Sequence, residues 1–369
     1  MNVLMVTPHL PPHQAANALL PHLLAEGLRR RGHTARFLTF GPGAPRADVA
    51  FVRRRGARLR ATRVPQALEA AETWWKGDPL VRGADVVHIH SSTWMNQVAA
   101  RLAQRRQRPY VLTHYGTEIW HHDGKDAVFR ALNRGARHVA FYSQALLARA
   151  RELSVPMRRG SVVYPPVADG FAPLAPAERE RARREVAPGG GPLLVNVKRL
   201  HPLADQATLL EAFARVRERR LDAVLAIAGT GEQEQDLRAR AARLGLGTSL
   251  RLLGLVPNDD VARLVAAADL FVLSSVLEAT PTVALEALAC GTPVVSTDNP
   301  GGVELHGLFG EDVALTPRRD PDALAAAMLG FLDAPRRTTP ATAARVAEGF
   351  RLDGVVLRYL ELYEEARAA

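Results

Sequence analysis

Short apolar runs alternate with amphipathic stretches along almost the whole chain. Val3–Val6, Ala35–Phe40, Val86–His90, Tyr110–Thr113, His138–Phe141 and Val162–Tyr164 read as strands, and helical spacing lies between most of them, first from Ala18 to Arg31 with Gly32 as its stop. Such alternation predicts a parallel sheet covered by helices. It breaks between Pro173 and Pro192, where Pro176, the charge run Glu178–Glu185 and Pro188-Gly189-Gly190-Gly191-Pro192 read as a linker. It then restarts with Leu193–Val197, a helix near Gln206–Arg219, Ala223–Ala228, a helix near Gln233–Leu244, Leu250–Leu253, Val261–Ala267, Leu270–Leu273 and Val294–Ser296. The expectation is an α/β protein with two doubly wound, Rossmann-like domains: residues 1–175, a linker 176–192, residues 193–345, and terminal helices in 346–369. Ligands of such sheets lie beyond the carboxyl ends of the strands, so two domains facing each other would share a cleft.

The segment Ser274–Val295 carries the densest chemistry. Thr280 suits a helix cap, Pro281 suits the first helical position, Val283, Ala284, Leu285, Ala287 and Leu288 form an apolar body, and Gly291 ends it. The unpaired amides near Thr282 and Val283, at the positive end of the helix dipole, favour a phosphate. Glu286 lies six residues beyond the cap, roughly 9 Å at helical rise, about the span from a pyrophosphate to the far side of a ribose, where a carboxylate accepts two hydroxyls. Glu278 stands at the mouth and could meet the hydroxyls of a sugar carried on the phosphate. The layout fits a sugar nucleotide. The plainer alternatives are an acid placed to favour the dipole and a solvated glutamate on a helix surface.

Composition narrows the setting. The chain has 369 residues, enough for two domains, with 47% apolar and 23% charged residues, a globular balance. Its one cysteine, Cys290, excludes an internal disulfide framework and suggests a reducing, cytoplasmic location. The first residues have no basic leader, and no apolar run reaches the roughly 18 residues that span a bilayer, so a peripheral contact is the most membrane association expected. The net charge of +10 is divided unevenly, +15 over residues 1–185 and −5 over the rest. Arg46, Arg53, Arg54, Arg55, Arg58, Arg60 and Arg63, followed by Trp74-Trp75, read equally well as a site for an anionic membrane surface and as a solvated charge run. Nucleic acid is not expected: no recognition module is present and the second half is acidic. Asp320-Pro321-Asp322 is read as a helix cap, and no zinc-type ligand spacing occurs, so no metal is expected.

The segment from Glu278 to Glu286 resembles the glutamate-x7-glutamate signature of the retaining, GT-B-fold glycosyltransferases of family 4, and the likeness continues through Pro300-Gly301-Gly302-Val303-Glu304. It covers nearly the whole chain and is stronger in the second half. Met5–His13, Leu24–Leu28 and Arg31-Gly32-His33 are similar to the family's first βα unit, whose loop faces the acceptor; the usual Gly-Gly pair is replaced near Ala15-Ala16. Asp85–His90 and Thr113-His114-Tyr115-Gly116 resemble two further segments, and the resemblance implies that His114 lies beside the donor sugar; a strand-end histidine is otherwise a structural residue. His88 and His90, two apart on a strand, share a face. Asn196–Pro202 resembles the segment whose arginine neutralises the donor pyrophosphate, which assigns that role to Arg199. The family's Lys-Gly that follows is replaced by Ala204-Asp205, leaving Lys198 or His201 to compensate. Gly229-Thr230-Gly231-Glu232 resembles a family glycine turn, and Leu250–Pro257 a strand and loop beside the base.

The resemblance implies transfer of a sugar from a nucleoside diphosphate, UDP by preference, to a hydroxyl acceptor with retention, the leaving phosphate taking the acceptor proton. No resident cofactor is implied. Arg199, Lys198, Gly229, Gly231, Thr282, Val283, Gly301 and Gly302 would surround the diphosphate, Glu278 and His114 the sugar, and Glu286 the ribose. The acceptor, a glycan, lipid or small molecule, is left open. A catalytically weakened sugar-nucleotide-binding protein and an epimerase on the same fold stand as alternatives; a phosphorylase would need a cofactor lysine, and the chain has only Lys76, Lys125 and Lys198.

Overall fold

Aliphatic and β-branched runs, punctuated by helices, form two all-parallel sheets in a computed structural model that describes residues 1–13, 16–41, 46–55 and 64–368. The chain divides into two compact units. One comprises Met1–Pro166 and the segment from Leu352 onward; the other is Val167–Arg351.

The first unit contains β1 (Asn2–Val6), β2 (Thr34–Phe40), β3 (Val49–Val52), β4 (Val86–His90), β5 (Tyr110–His114), β6 (His138–Phe141) and β7 (Gly160–Val162), in the order β3-β2-β1-β4-β5-β6-β7. β4 and β5 are buried at every position, as expected of central strands covered on both faces. The core joins Val3, Met5, Leu28, Phe37, Val86 and Val111 to Leu352, Val356, Tyr359 and Tyr363 of the last helix, Leu352–Ala368. Polar bonds anchor that helix: Tyr363 Oη lies 2.7 Å from His88 Nδ1, and Tyr359 Oη 3.2 Å from Thr113 Oγ1.

The second unit contains β8 (Leu193–Val197), β9 (Val224–Ala228), β10 (Leu250–Gly254), β11 (Leu270–Leu273), β12 (Val294–Thr297) and β13 (Val313–Thr316), in the order β10-β9-β8-β11-β12-β13. Its core is built on Leu194, Phe213, Leu225, Ile227, Val272 and Val295, with Leu324 and Met328 of the helix Pro321–Asp333. Asp320 caps that helix, accepting the Ala323 amide at 2.9 Å.

Some elements differ from the sequence expectation. β3 and β13 were not anticipated; each has four residues and lies at a sheet edge, where the apolar signal is short. β7 falls two residues earlier than the apolar run, because Gly160 and Ser161 pair with Val139 and Ala140 by backbone alone. The segment 173–192 holds an eleven-residue helix, Pro176–Val186. Its charges alternate at helical spacing, with Glu180 paired to Arg183 and Arg184 at 2.6 Å each, and Pro176 sits at the first turn.

Candidate functional site

The strand order of the second sheet reverses between the parallel neighbours β8 and β11, and ligands of doubly wound sheets bind where such a reversal opens a crevice beyond the strand ends. The loops that leave β8, β9, β11 and β12 carry, respectively, Lys198 and Arg199, Gly229 to Glu232, Glu278, and Gly301 with Gly302. The sequence candidates of this unit therefore converge from four separate segments.

The helix expected after Glu278 is present as Thr282–Ala289. Its cap is Pro281, with no side-chain cap bond, so Thr280 does not serve as the cap and the helix starts one residue later than expected. Glu286 is accordingly five residues past the cap, about 7.5 Å along the axis. The amides of Thr282 and Val283 have no acceptor within the helix, as at any helix N-terminus. Ala284, Leu285, Ala287 and Leu288 are buried, which fixes the rotation of the helix and leaves Glu286 half-buried on its remaining face. Burial pushes the Glu286 carboxyl up to about 7.

Glu278 is only 11% exposed, and its Oε1 lies 2.6 Å from Lys198 Nζ. The Gly301 amide donates to the Glu278 carbonyl at 3.1 Å, and the Gly302 amide donates to Asn299 Oδ1 at 3.0 Å, capping the helix Pro300–Phe309. Those two amides are thus committed within the protein. A Cβ on Gly301 would lie 2.7 Å from Pro281 Cδ, and one on Gly302 would lie 2.3 Å from Ser296 Oγ. The glycine pair lets the helix start press directly on the loop that bears Glu278.

Arg199 is 71% exposed and meets Glu232 at 3.3 Å, while His201 Nε2 lies 3.5 Å from the same carboxylate. Glu232 ends the Gly-Thr-Gly-Glu turn and had no role assigned from sequence; only its adjacency to the two glycines hinted at the site. A Cβ at Gly229 would stand 2.0 Å from the Lys198 carbonyl oxygen, and one at Gly231 would stand 2.1 Å from that of Leu200. The turn after β9 therefore packs without side chains against the Lys198–Leu200 backbone. Ala204 is buried, its carbonyl taken by Ser274 Oγ at 2.8 Å, and supplies no cation. Asp205 adopts φ 48°, the left-handed region where the resembled family has glycine and where aspartate is tolerated.

His114 belongs to the first unit and is completely buried. Its Nε2 donates to Asn133 Oδ1 at 2.8 Å, its Nδ1 lies 3.5 Å from Glu118 Oε1, and Phe129 and Phe141 flank the ring. With no exposed atom, the ring touches no donor sugar in this conformation; its Nδ1 has no hydrogen-bond partner among the described residues, and Glu118 accepts the Tyr115 amide at 2.8 Å. His88 and His90 do share a face, ring centroids 3.9 Å apart, and both are buried. Burial, then the neighbouring His90, hold His88 well below the ordinary histidine range, and burial takes His90 down to about 3.

Two family models match the chain: glycosyl transferases group 1 over residues 178–347, and a glycosyl transferase 4-like domain over residues 21–166. A D-inositol 3-phosphate glycosyltransferase of Thermobispora bispora is 32% identical over 75% of this chain and 70% of its own length. The chain belongs to the group 1 glycosyl transferases. An uncharacterized glycosyltransferase of Methanocaldococcus jannaschii is 28% identical over 88% of this chain and 87% of that protein. The match to the corresponding Geodermatophilus obscurus protein, 36% identical, spans 57% of this chain and about half of that protein, 49%. Anabaena HepE, solved with UDP, superposes with a TM-score of 0.79 at 20% identity, covering 99% of this chain and all of the other. Sucrose-phosphate synthase from Thermosynechococcus elongatus gives 0.79 at 19% identity, over all of this chain and 99% of the other. This group 1 member thus has the GT-B architecture of two Rossmann-like domains.

The basic stretch is only partly described. Arg58, Arg60, Arg63 and Ala15 lie outside the described residues. Arg46 pairs with Asp48, Arg55 with Glu72, and Trp74 packs under Arg105, which leaves Trp75 as the exposed ring of the pair. No helix among the described residues is long and apolar enough to cross a membrane.

Proposed function

We propose that this glycosyl transferase moves a hexosyl group from a nucleoside diphosphate sugar, UDP-linked by preference, to a hydroxyl acceptor, with retention of configuration and without a metal. The observation that carries this reading is the convergence in one unit of Lys198, Arg199, Glu278 and the helix bearing Glu286 at the switch point of the sheet. HepE solved with UDP-glucose, and relatives named for D-inositol 3-phosphate, support the donor and a polyol acceptor.

In this mechanism the bond from the anomeric carbon to the β-phosphate oxygen breaks, and the acceptor oxygen bonds to that carbon on the same face. The acceptor proton passes to the departing phosphate oxygen. Arg199, released from Glu232, joins Lys198 and the Thr282 and Val283 amides in holding the growing negative charge, the electrostatic contribution that usually dominates such steps. Glu278 accepts sugar hydroxyls, and Glu286 accepts those of the ribose. Gly229, Gly231, Gly301 and Gly302 act by letting the loops approach, and His114 by fixing the turn after β5. The protein would work in the cytoplasm, with a peripheral membrane contact where the acceptor is lipid-borne.

Calorimetry without added metal tests the donor site. UDP should bind more tightly than GDP or ADP, and Glu286→Ala should weaken UDP by at least about tenfold, the loss of a charged hydrogen-bond acceptor. Equal binding by wild type and variant removes Glu286 from the site. One observation favours a second reading: Ala204 leaves the site a cation short. UDP binding without sugar transfer to any acceptor would make the protein a sugar-nucleotide binder.

A further inference from the structure

The second unit has a cavity of about 340 Å³ at the amino ends of its strands, walled by Arg179, Arg183, Arg220, Arg336 and Arg337 against two carboxylates, Asp222 and Asp269. Three segments bring the cations together. Arg179 and Arg183 lie one turn apart on the helix Pro176–Val186, Arg220 follows the helix Gln206–Arg219, and Arg336 and Arg337 follow the helix Pro321–Asp333. Pro192, also on the wall, immediately precedes β8, and Lys198 immediately follows it, so a five-residue strand of roughly 16 Å separates this cavity from the donor loops.

Much of the positive charge is spent inside the protein, but not all of it. Arg179 donates Nη2 to Asp269 Oδ1 at 2.5 Å and to the Ala268 carbonyl at 3.0 Å, while its Nε is buried with no hydrogen-bond partner among the described residues. Native proteins pair nearly all buried donors, so an orphaned guanidinium N–H on a cavity wall marks a place for an acceptor from outside the chain. Arg337 makes no ion pair among the described residues and donates only to carbonyls, those of Cys290 at 2.6 Å, Ala268 at 2.8 Å and Ala266 at 3.3 Å. Arg220 has Asp333 and Asp222 at 3.7 and 3.9 Å, too far for a hydrogen bond, and Asp333 is shared with Arg219. Glu180, the partner of Arg183, is likewise shared with Arg184, whereas Arg336 is satisfied by the buried Asp312. Burial, then the like charge of Arg179, lower the Arg337 guanidinium to about 10, as befits two cations held close without enough counter-charge.

We propose that this cavity binds a phosphate group, at a site separate from the donor site. The dianion lies between Arg179 and Arg337, gives the buried Nε its acceptor and meets Arg220 on its other side. Guanidinium forks match phosphate oxygens in pairs, and several of them around one group favour a dianion over a monocarboxylate. Phe331, on the same wall, offers an apolar surface beside the anion, so the phosphate has two possible sources, the free ion and a monoester whose organic part covers that ring. The assignment goes beyond the transfer reaction and does not depend on it.

The test is calorimetry of the full chain at pH 8 with inorganic phosphate, glycerol 3-phosphate and acetate, each with and without saturating UDP. Phosphate should bind at a site that UDP does not displace, at least about tenfold more tightly than acetate. Arg179→Gln should weaken it at least about tenfold, the loss of a charged donor, and a thermal melt like that of the wild type shows that the loss is local. Asp222→Asn removes one of the two carboxylates on the wall and should tighten phosphate about two- to threefold, a gain that misfolding cannot produce. Phosphate that UDP displaces belongs to the donor site and overturns the proposal. Absence of phosphate binding, acetate binding as tightly as phosphate, or a phosphate affinity that neither variant alters also overturns it. Glycerol 3-phosphate binding more tightly than phosphate assigns the site to an ester; equal or weaker binding assigns it to the free ion.

Discussion

Glu286 accepts two hydroxyls, one on each oxygen, only as a carboxylate, yet burial pushes its carboxyl up to about 7. If ribose hydroxyls bind there, the ionised form is the one that binds, and donor affinity must depend on pH. A nucleotide sugar is the right probe, because its diphosphate diester does not titrate near neutrality. Affinity should rise about tenfold from pH 6 to pH 8, and binding near pH 6 should release a proton, visible as a heat that varies with buffer ionisation enthalpy. Glu286→Gln should bind more weakly and flatten the pH profile. Affinity independent of pH across that range would sink the ribose assignment. This behaviour was not legible in the sequence, where Glu286 reads equally as a solvated helix residue. It follows from the burial of Ala284, Leu285, Ala287 and Leu288 around it, which depends on how the helix is rotated against β11 and β12.

The turn after β9 tests how one element positions another. Gly229 has φ 142° and no room for a Cβ, which would come within 2.0 Å of the Lys198 carbonyl oxygen. Gly229→Ala should cost about 3 kcal/mol or more in urea unfolding, through the clash and the backbone strain together. Because the clash falls on the backbone of Lys198, UDP affinity should fall with it. Gly245→Ala is the comparison: φ is 64° but nothing lies within 4 Å, so about 1 kcal/mol and unchanged affinity are expected. Equal costs in the two variants would mean that the close approach of the loops contributes nothing. From sequence, this turn resembled a family glycine turn beside the diphosphate; the close approach of the Lys198–Leu200 backbone, which leaves no room for a Cβ at Gly229 or Gly231, was not readable there. The same distinction separates what was legible elsewhere. β8, β11, β4 and β6 were foreseen to the residue because central strands are continuous apolar runs. β3 and β13 were missed at the edges, and the helix Pro176–Val186 was hidden because its low hydrophobicity imitates a linker while its ion pairs support a helix. Among the site residues, the type and order of Lys198, Arg199, Glu278 and Glu286 were readable, whereas the burial of His114, the pairing of Lys198 with Glu278 and the commitment of the Gly301 and Gly302 amides were set by tertiary packing.

The two units should respond to acid in opposite directions. In the first, His88 and His90 are buried neutral and lie well below an unfolded value near 6.5, so below that pH the unfolded chain binds protons that the folded unit does not. Stability is therefore lost as pH falls, by about 3 kcal/mol between pH 7.5 and 5.5 for the pair. His9, His33 and His138 are shifted the same way, chiefly by burial. In the second unit, Glu286 is raised to about 7, so the folded unit holds a proton that the unfolded chain releases above the ordinary glutamate range. Its contribution is fully present at low pH and is lost as pH rises through 7; acidification to pH 5.5 should add at most about 2 kcal/mol, less after solvent screening. The molecule carries its own reporter, since all four tryptophans, Trp74, Trp75, Trp94 and Trp120, lie in the first unit. In urea, the tryptophan fluorescence midpoint should fall on going from pH 7.5 to 5.5, while the amide-exchange protection factors in Thr282–Ala289, taken relative to the intrinsic rate at each pH, rise over the same interval and cease to respond to pH in Glu286→Gln. A fluorescence midpoint that holds steady would mean that the two histidines are protonated inside the fold, with the bonds from His88 to Tyr363 and Thr113 rearranged. A drop in both probes together would place the dominant acid response outside Glu286 and leave its raised carboxyl without thermodynamic effect.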